Sequence, residues 1–198
     1  MPKDPFEAIF NYIKSKSSME ISEEEIKLIR SAFKMKHLRK RQYLLQEGDV
    51  CKYMAFIVNG AGRMYMVNEN GQENVIRFAI ESWWLGDYES YNLNSPSTYN
   101  IEMTEDSDVL LIGHEHMEKL TKSVPAVAGM TKDIDRKGTI ATQKRIQSAI
   151  SLGAEERYEQ LVKTYPEFIR RFPQVMIASY LGISPETLSR IRKNLLKK

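Results

Sequence analysis

The sequence predicts an α+β protein in which helices flank an N-terminal antiparallel β-module and a long helix leads to a small helical C-terminal end. Short β-branched and aromatic runs, separated by turn signals, occupy residues 36–112. Apolar residues at helical spacing lie before that stretch and return after it. At 198 residues and 42% hydrophobic, the chain can bury a hydrophobic core. Its length suits one larger domain that carries a smaller one.

Two short helices are predicted ahead of the β-module. Residues 5–17 carry apolar side chains at helical spacing. Ser22 followed by Glu25 forms a capping box that opens the second helix.

Within the β-module, the dipeptides Asn59-Gly60 and Asn70-Gly71 are turn signals of the kind that join antiparallel strands. Several short strands at about 8–12-residue spacing predict a sandwich, roll or barrel.

A single long helix is predicted at residues 124–152, where apolar residues recur at steps near three, four and seven. Its stripe is interrupted by Lys137, Gly138 and Arg145, so it fits packing on its own domain as well as a two-stranded coiled-coil seam. Gly153 suits the C-cap of this helix, and a further helix follows.

Positive charge is concentrated at the C-terminal end. Residues 168–198 hold seven Lys or Arg residues against the single acid Glu186, which gives 7 − 1 = +6. The whole chain carries +3, so the remaining residues carry 3 − 6 = −3. This uneven distribution is more informative about partners than the small net charge.

The C-terminal end predicts two helices that meet at Gly182. Ser184 suits the N-cap of the second helix, and Pro185 suits its first position, where the absent N–H costs nothing. Ala178 is small where the two helices would cross closely. The apolar contacts between them come from Ile177, Leu181, Ile183, Leu188 and Ile191. This spacing resembles the helix-turn-helix of bacterial transcription regulators.

A helix-turn-helix places its second helix in the major groove, with residues near the helix N-terminus at base edges. The candidates are Glu186, Thr187, Ser189 and Arg190. Arg190 can pair with guanine O6 and N7, and Glu186 can accept from cytosine N4, each pair giving roughly 1–3 kcal/mol of discrimination. The candidates for phosphate contacts are Arg192, Lys193, Lys197 and Lys198. In the alternative interpretation, Glu186 only complements the helix dipole and the cations form a solvated face.

The stretch ETLSR within ISPETLSRIRK resembles the recognition helix of the CRP/FNR family, the cyclic-AMP receptor protein and its relatives, and is most similar to the FNR branch. The resemblance implies that Glu186, Ser189 and Arg190 read bases, with Ser184 and Thr187 near the DNA backbone.

This resemblance covers nearly the whole chain, because the family has the same elements in the same order. It implies a cyclic-nucleotide-binding-like β-roll (a double-stranded β-helix) in a sensor domain at 1–123, a dimerisation helix at 124–152 and a helix-turn-helix DNA-binding domain at 153–198. The chain stops a few residues after the recognition helix, so we expect a shortened type without a full C-terminal wing.

In cyclic-nucleotide-binding β-rolls, a short cassette carries a Phe-Gly-Glu-type segment whose glutamate takes the ribose hydroxyl. About ten residues later, an arginine pairs with the cyclic phosphate. Here Gly86-Asp87 stands at the first position, and Ser97 or Thr98 falls at the second. No Arg or Lys occurs between Arg77 and Lys119.

A cyclic phosphate needs a charged partner, and losing one charge-assisted hydrogen bond costs about 1.5–3 kcal/mol. We therefore expect a signal other than cyclic AMP in its usual mode, unless Arg77 supplies the charge from a neighbouring strand. Trp83-Trp84 fits the core and rim of the roll, or alternatively a stacking surface for an aromatic ligand. The pocket candidates are Arg77, Trp84, Gly86, Asp87, Ser97, Thr98 and Tyr99.

Several other kinds of chemistry find no support in the sequence. The only cysteine, Cys51, cannot form an internal disulfide, which fits a reduced, cytoplasmic setting. No apolar run approaches the roughly 20 residues that span a bilayer. His114 and His116 have no evident third ligand, and no catalytic fingerprint is present. Accordingly, no enzymatic activity, cofactor or metal is predicted.

The sequence thus predicts a homodimeric, cytoplasmic transcription regulator whose β-roll senses an unidentified signal. Its expected partners are near-palindromic double-stranded DNA, a second copy of the chain and a small-molecule effector of unknown identity, and the resemblance adds RNA polymerase. One alternative is a ligand-binding signalling module with a vestigial tail that acts through protein contacts. Another is a β-roll enzyme of cupin type with a metal at His114 and His116.

Overall fold

The computed structural model describes residues 4–17 and 19–196, and within them the chain forms nine α-helices and eight β-strands. The helices are α1 (Phe6–Lys16), α2 (Glu23–Ala32), α3 (Tyr88–Leu93), α4 (His114–Ser123), α5 (Pro125–Ser151), α6 (Ala154–Thr164), α7 (Pro166–Arg171), α8 (Gln174–Leu181) and α9 (Pro185–Leu195). The strands are β1 (Lys34–Leu38), β2 (Tyr43–Leu45), β3 (Tyr53–Asn59), β4 (Gly62–Val67), β5 (Glu73–Ala79), β6 (Trp84–Leu85), β7 (Asn100–Met103) and β8 (Ser107–Gly113).

The chain divides into two compact units. The first comprises the described residues up to Met64 together with Ala79–Lys137. The second comprises Tyr65–Phe78 and the described residues from Gly138 onward. The tip of the β4–β5 hairpin is thus grouped with the C-terminal helices, whereas the boundaries expected from the sequence follow helix ends.

The β-module consists of two four-stranded antiparallel sheets, with strand orders β1-β8-β3-β6 and β2-β7-β4-β5. In the first sheet, β8 lies between two partners, and Leu111 faces Lys34 of β1 and Ala55 of β3. Strands far apart in the chain are therefore neighbours. This arrangement confirms the predicted antiparallel roll.

The two turn dipeptides have different roles. Asn70-Gly71 lies at the tip of the β4–β5 hairpin, as predicted, and Gly71 has a φ of 75°. Asn59-Gly60 joins β3 to β4, but these strands belong to different sheets, so the prediction that it links paired strands was wrong. A corner between sheets needs a positive φ as much as a hairpin does, and Gly60 supplies it at 101°.

The first unit has an apolar core formed by its helices and the β1-β8-β3-β6 sheet. Aromatic rings lie at its centre: the Phe56 ring centroid is 5.4 Å from that of Trp84 and 5.2 Å from that of Tyr12. The buried members are Ile9, Ile13, Ile29, Phe33, Phe56, Trp84, Leu110, Ile112, Leu120, Val124, Ala126, Val127 and Met130.

The helix predictions are confirmed, apart from one cap. Ser22 Oγ accepts from the Glu25 N–H at 3.3 Å, and Glu25 Oε2 accepts from the Ser22 N–H at 2.8 Å, which completes the capping box. The long helix is α5. Gly153 was predicted as its C-cap, but it has a φ of −66° and is the N-cap of α6, because Glu156 Oε2 accepts its N–H at 2.8 Å. None of the described helices combines the length and the apolarity that crossing a membrane requires.

The corner at Gly60 should be sensitive to any side chain. A Cβ there would lie 2.1 Å from Ser107 Oγ, whereas a Cβ at Gly48, also at positive φ (89°), would meet nothing within 4 Å. We expect Gly48→Ala to cost about 1–2 kcal/mol through its backbone conformation alone. Gly60→Ala should cost about 1–3 kcal/mol more through overpacking. Urea unfolding measures both values, and equal losses would contradict the close contact.

Candidate nucleic-acid interface and ligand pocket

A left-handed glycine forms the turn between α8 and α9. Gly182 ends α8 with a φ of 65°, and the Ile183 N–H donates to the Ala178 carbonyl at 3.0 Å, a closing pattern typical of helices that end in such a glycine. Pro185 occupies the first turn of α9. Ser184 is its N-cap, because Ser184 Oγ accepts from the Thr187 N–H at 3.2 Å. These features confirm the predicted helix-turn-helix.

The two helices of this motif share an apolar contact. Ala178 is fully buried, and Leu188 is 1% exposed. The other buried apolar residues of the pair are Ile177, Leu181 and Ile191. Ile183, in the turn, is half-buried. The orientation of α9 therefore follows from that of α8.

The opposite side of α9 is open to solvent. It carries Glu186, Ser189, Arg190 and Lys193, which are all exposed and form what we call the reading face. At 3.6 residues per turn, these four positions fall within about 100° of the helix circumference. The Glu186 amide and the Ser184 hydroxyl lower the pKa of the Glu186 carboxyl below its usual value, so this group stays ionised over a wider pH range.

Three other predicted DNA-binding residues lie at the border of the reading face. Thr187 is half-buried, and its Oγ1 accepts from Ser184 Oγ at 3.2 Å, so both hydroxyls take part in the cap. Arg192 is also half-buried and lines a surface depression with residues of α6 that include Glu159. Lys197 and Lys198 lie outside the described residues.

In the β-roll cassette, Asp87 caps a short helix. Its Oδ1 accepts from the N–H groups of Glu89 and Ser90 at 3.1 and 3.4 Å, at the start of α3. Its Oδ2 accepts from Ser97 Oγ at 2.7 Å, and both side chains are nearly inaccessible, at 5% and 3% exposure. The residues at the expected ribose and phosphate positions thus bind each other.

Trp84 and Gly86 each have a packing role. Trp84 lies in the core of the first unit, with its ring centroid 6.2 Å from that of Phe33. A Cβ at Gly86 would lie 2.4 Å from Met54 Sδ, so the Met54 side chain occupies the space that a side chain at residue 86 would need.

The remaining pocket candidates are spread over different surroundings. Thr98 is exposed and Tyr99 is half-buried. Arg77 belongs to the second unit, where its exposed side chain interacts electrostatically with Tyr180 and Arg145.

The cysteine and histidine positions are also defined. Cys51 is buried, and this burial raises the pKa of its thiol, which disfavours the reactive thiolate. His114 begins α4, and its ring packs edge-on against Tyr91 at 5.3 Å. Over the described ranges, no group of three or more His, Cys, Asp or Glu residues is placed to hold a metal ion.

Two residues to which the sequence assigned no role bind the β4–β5 hairpin. Ser179 of α8 exchanges hydrogen bonds with the backbone of β5, and Arg145 of α5 donates to β5 carbonyls. The one signal in the sequence was that Arg145 interrupts the apolar stripe of the long helix.

Known proteins resemble this chain in sequence and in fold. The family model described as the cyclic nucleotide-binding domain matches residues 35–124. Among curated proteins, the anaerobic regulatory protein of Pasteurella multocida (strain Pm70) is 24% identical over 173 residues, which cover 82% of this chain and 63% of that protein. The chain therefore matches less than two thirds of that relative's length.

Two solved structures extend the likeness to most of the chain. FixK2 from Bradyrhizobium japonicum is 19% identical, with a TM-score of 0.68, and the match covers 83% of this chain and 85% of that one. A CooA variant from Carboxydothermus hydrogenoformans is 15% identical, with a TM-score of 0.71, covering 85% of this chain and 78% of that one. At these identities, the likeness shows a shared fold.

The closed cassette predicts a stability effect at Asp87. Asp87→Ala removes an N-cap, worth about 0.5–2 kcal/mol, and leaves the buried Ser97 hydroxyl without its best acceptor, at about 1–3 kcal/mol. Glu89→Ala is the matched control, because it removes an exposed carboxylate from the same helix and should change stability by less than about 0.5 kcal/mol. Equal unfolding free energies for the two variants would contradict the closed arrangement.

Proposed function

We propose that the chain is a regulator of the CRP/FNR type: a sequence-specific, DNA-binding transcription regulator that acts as a homodimer in the cytoplasm and is not an enzyme. The match to the cyclic nucleotide-binding domain, the curated relative and the fold shared with FixK2 support this proposal. The observation that carries this proposal is the reading face of α9. Four polar or charged side chains point to solvent from a helix whose other side is anchored on α8.

Side chains in the first turns of α9 make the contacts with base edges. The exposed guanidinium of Arg190 has the fork geometry that pairs with guanine O6 and N7, and the ionised Glu186 can accept from cytosine N4. Ser189 lies between them on the same face. Each good pair supplies about 1–3 kcal/mol of discrimination, so two pairs per subunit are enough to distinguish an operator from random DNA.

The remaining cations serve affinity rather than sequence readout. Lys193 lies one turn beyond Arg190, and Arg192 lies at the border of the reading face, which suits contacts to phosphates. Ser184 and Thr187 act mainly by capping α9. Because phosphate contacts release counterions, binding should weaken steeply with salt.

The second half of α5 supplies the dimer contact. Beyond Gly138 it exposes Ile140, Ile146 and Ile150, with exposures of 43%, 55% and 80%. At 100° per residue, these three isoleucines fall within about 120° of one another on the helix. Pairing with a second copy would bury this stripe, and a fully buried isoleucine contributes about 1.5–3 kcal/mol. Such a two-fold pair would present two α9 helices about 34–36 Å apart to a near-palindromic site.

The β-roll senses a signal other than cyclic AMP in its usual mode. The Asp87 carboxylate is already engaged by Ser97, and the cassette holds no cation for a phosphate. Family membership implies RNA polymerase as a further partner. The alternative, a signalling module with a vestigial tail, leaves the ordered cap and the open reading face of α9 without a purpose.

Selection of duplexes from a random pool by the wild-type protein, followed by fluorescence anisotropy, tests the proposal. We expect Arg190→Ala to weaken binding to the selected duplex about tenfold or more, because one base pair loses its bidentate partner. Binding to a scrambled duplex should change little.

Arg170→Ala is the matched control, because it removes an exposed arginine from α7, outside the reading face. Native mass spectrometry should show a dimer for both variants. Unchanged discrimination between selected and scrambled DNA in Arg190→Ala would contradict the assignment.

The interpretation of the β-roll is tested separately by thermal unfolding with cyclic AMP. A ligand present at 100 times its Kd stabilises the folded state by about 2.7 kcal/mol. With cyclic AMP at about 1 mM, we expect no shift in Tm. A shift that disappears in Arg77→Ala would instead show that Arg77 supplies the missing charge.

A further inference from the structure

The edge of strand β5 has unusual hydrogen-bond partners. Strand β5 is the last strand of its sheet, so the backbone groups on its outer side face no neighbouring strand. Ser179 Oγ of α8 accepts from the Val75 N–H at 2.9 Å and donates to the Glu73 carbonyl at 2.6 Å. One hydroxyl thus substitutes for the missing strand at both groups.

Arg145 joins a third element to this contact. Its guanidinium, from the second half of α5, donates to the carbonyls of Ile76 in β5 and Tyr180 in α8, the latter at 3.4 Å. It also lies over the Tyr180 ring, 4.4 Å from the ring centroid. The planar, multi-donor guanidinium can make these contacts at once, which a lysine ammonium cannot do.

An aromatic cluster also joins β5 to the C-terminal helices. The Phe78 ring at the end of β5 stacks on Phe172 at 4.0 Å and meets Phe168 edge-on at 5.3 Å. Phe78 and Phe168 are 1% and 2% exposed. We call the contacts that Ser179 and Arg145 make with β5 the clasp.

We propose that Ser179 and Arg145 are positioning residues for DNA binding: the clasp fixes α8, and through it α9, in the orientation that reads DNA. This inference rests on the proposed function. The clasp residues lie on α5 and α8, and the reading face of α9 remains exposed while the clasp is formed. If the clasp inhibited DNA binding by covering α9, the reading face would have to be buried.

The clasp also joins the elements on which the proposed dimer depends. Arg145 lies between Ile140 and Ile146 on the helix that would form the two-fold contact, and it holds α8 directly. The distance between the two α9 helices of a dimer would therefore be set through this guanidinium. Releasing it would leave each helix-turn-helix folded but free to change its orientation, which lowers affinity by an entropic cost.

The test compares clasp variants on the duplex selected by the wild-type protein. Loss of two hydrogen bonds predicts about 5–10-fold weaker binding for Ser179→Ala. The salt dependence should be unchanged, because no phosphate contact is lost. Ser179→Thr keeps the hydroxyl and should bind within about twofold of the wild-type protein. Arg145→Ala should lose about tenfold or more, whereas Lys144→Ala removes the neighbouring exposed charge and should lose little.

Hydrogen exchange separates the positioning role from a general loss of structure. In Ser179→Ala, the Val75 amide should exchange faster while the amides of α9 keep their protection. Wild-type affinity despite an opened hairpin would overturn the positioning role, and an unchanged Val75 exchange rate would overturn the clasp itself. If the wild-type protein selects no duplex, the proposed DNA-binding function fails, and the exchange result still tests the clasp.

Discussion

The structure depends on the contact that holds α9 in place. A helix of eleven residues is marginal in water, because nucleation is costly and few hydrogen bonds follow it. Leu188 and Ile191 supply the missing stability by burial against α8, and the Ser184 cap satisfies an N–H that would otherwise lack a partner. The orientation of the reading face therefore rests on apolar packing at the other side of the helix.

In the β-roll, the polar groups of the cassette bind one another. Where a ligand would be expected to bring hydrogen-bonding groups, the chain supplies its own: Asp87 accepts from two amides and from Ser97. A competing ligand would have to break bonds between groups that are almost fully desolvated, and the cassette itself carries no Arg or Lys that would offset that cost. Residues 35–124 nevertheless match the family model of the cyclic nucleotide-binding domain, so the fold alone does not identify the ligand.

Local patterns in the sequence were enough to predict the capping box at Ser22, the long helix and the turn at Gly182, because each depends on residues a few positions apart. Pairings over long distances were not predictable. Asn59-Gly60 has the same local signal whether it joins strands of one sheet or of two, and Gly153 suits either end of a helix. Ser179 bonds to Val75, 104 residues earlier, and no local pattern indicates this pairing.

The left-handed turn at Gly182 separates two tasks along the chain. The residues before it connect the helix-turn-helix to β5 and α5, and those after it face outward. The outward side of α9 could thus be exchanged for that of another regulator, provided Leu188 and Ile191 are kept. Under the proposed function, such a hybrid would acquire a new DNA target and keep the contacts with β5 and α5 that set the orientation of the motif.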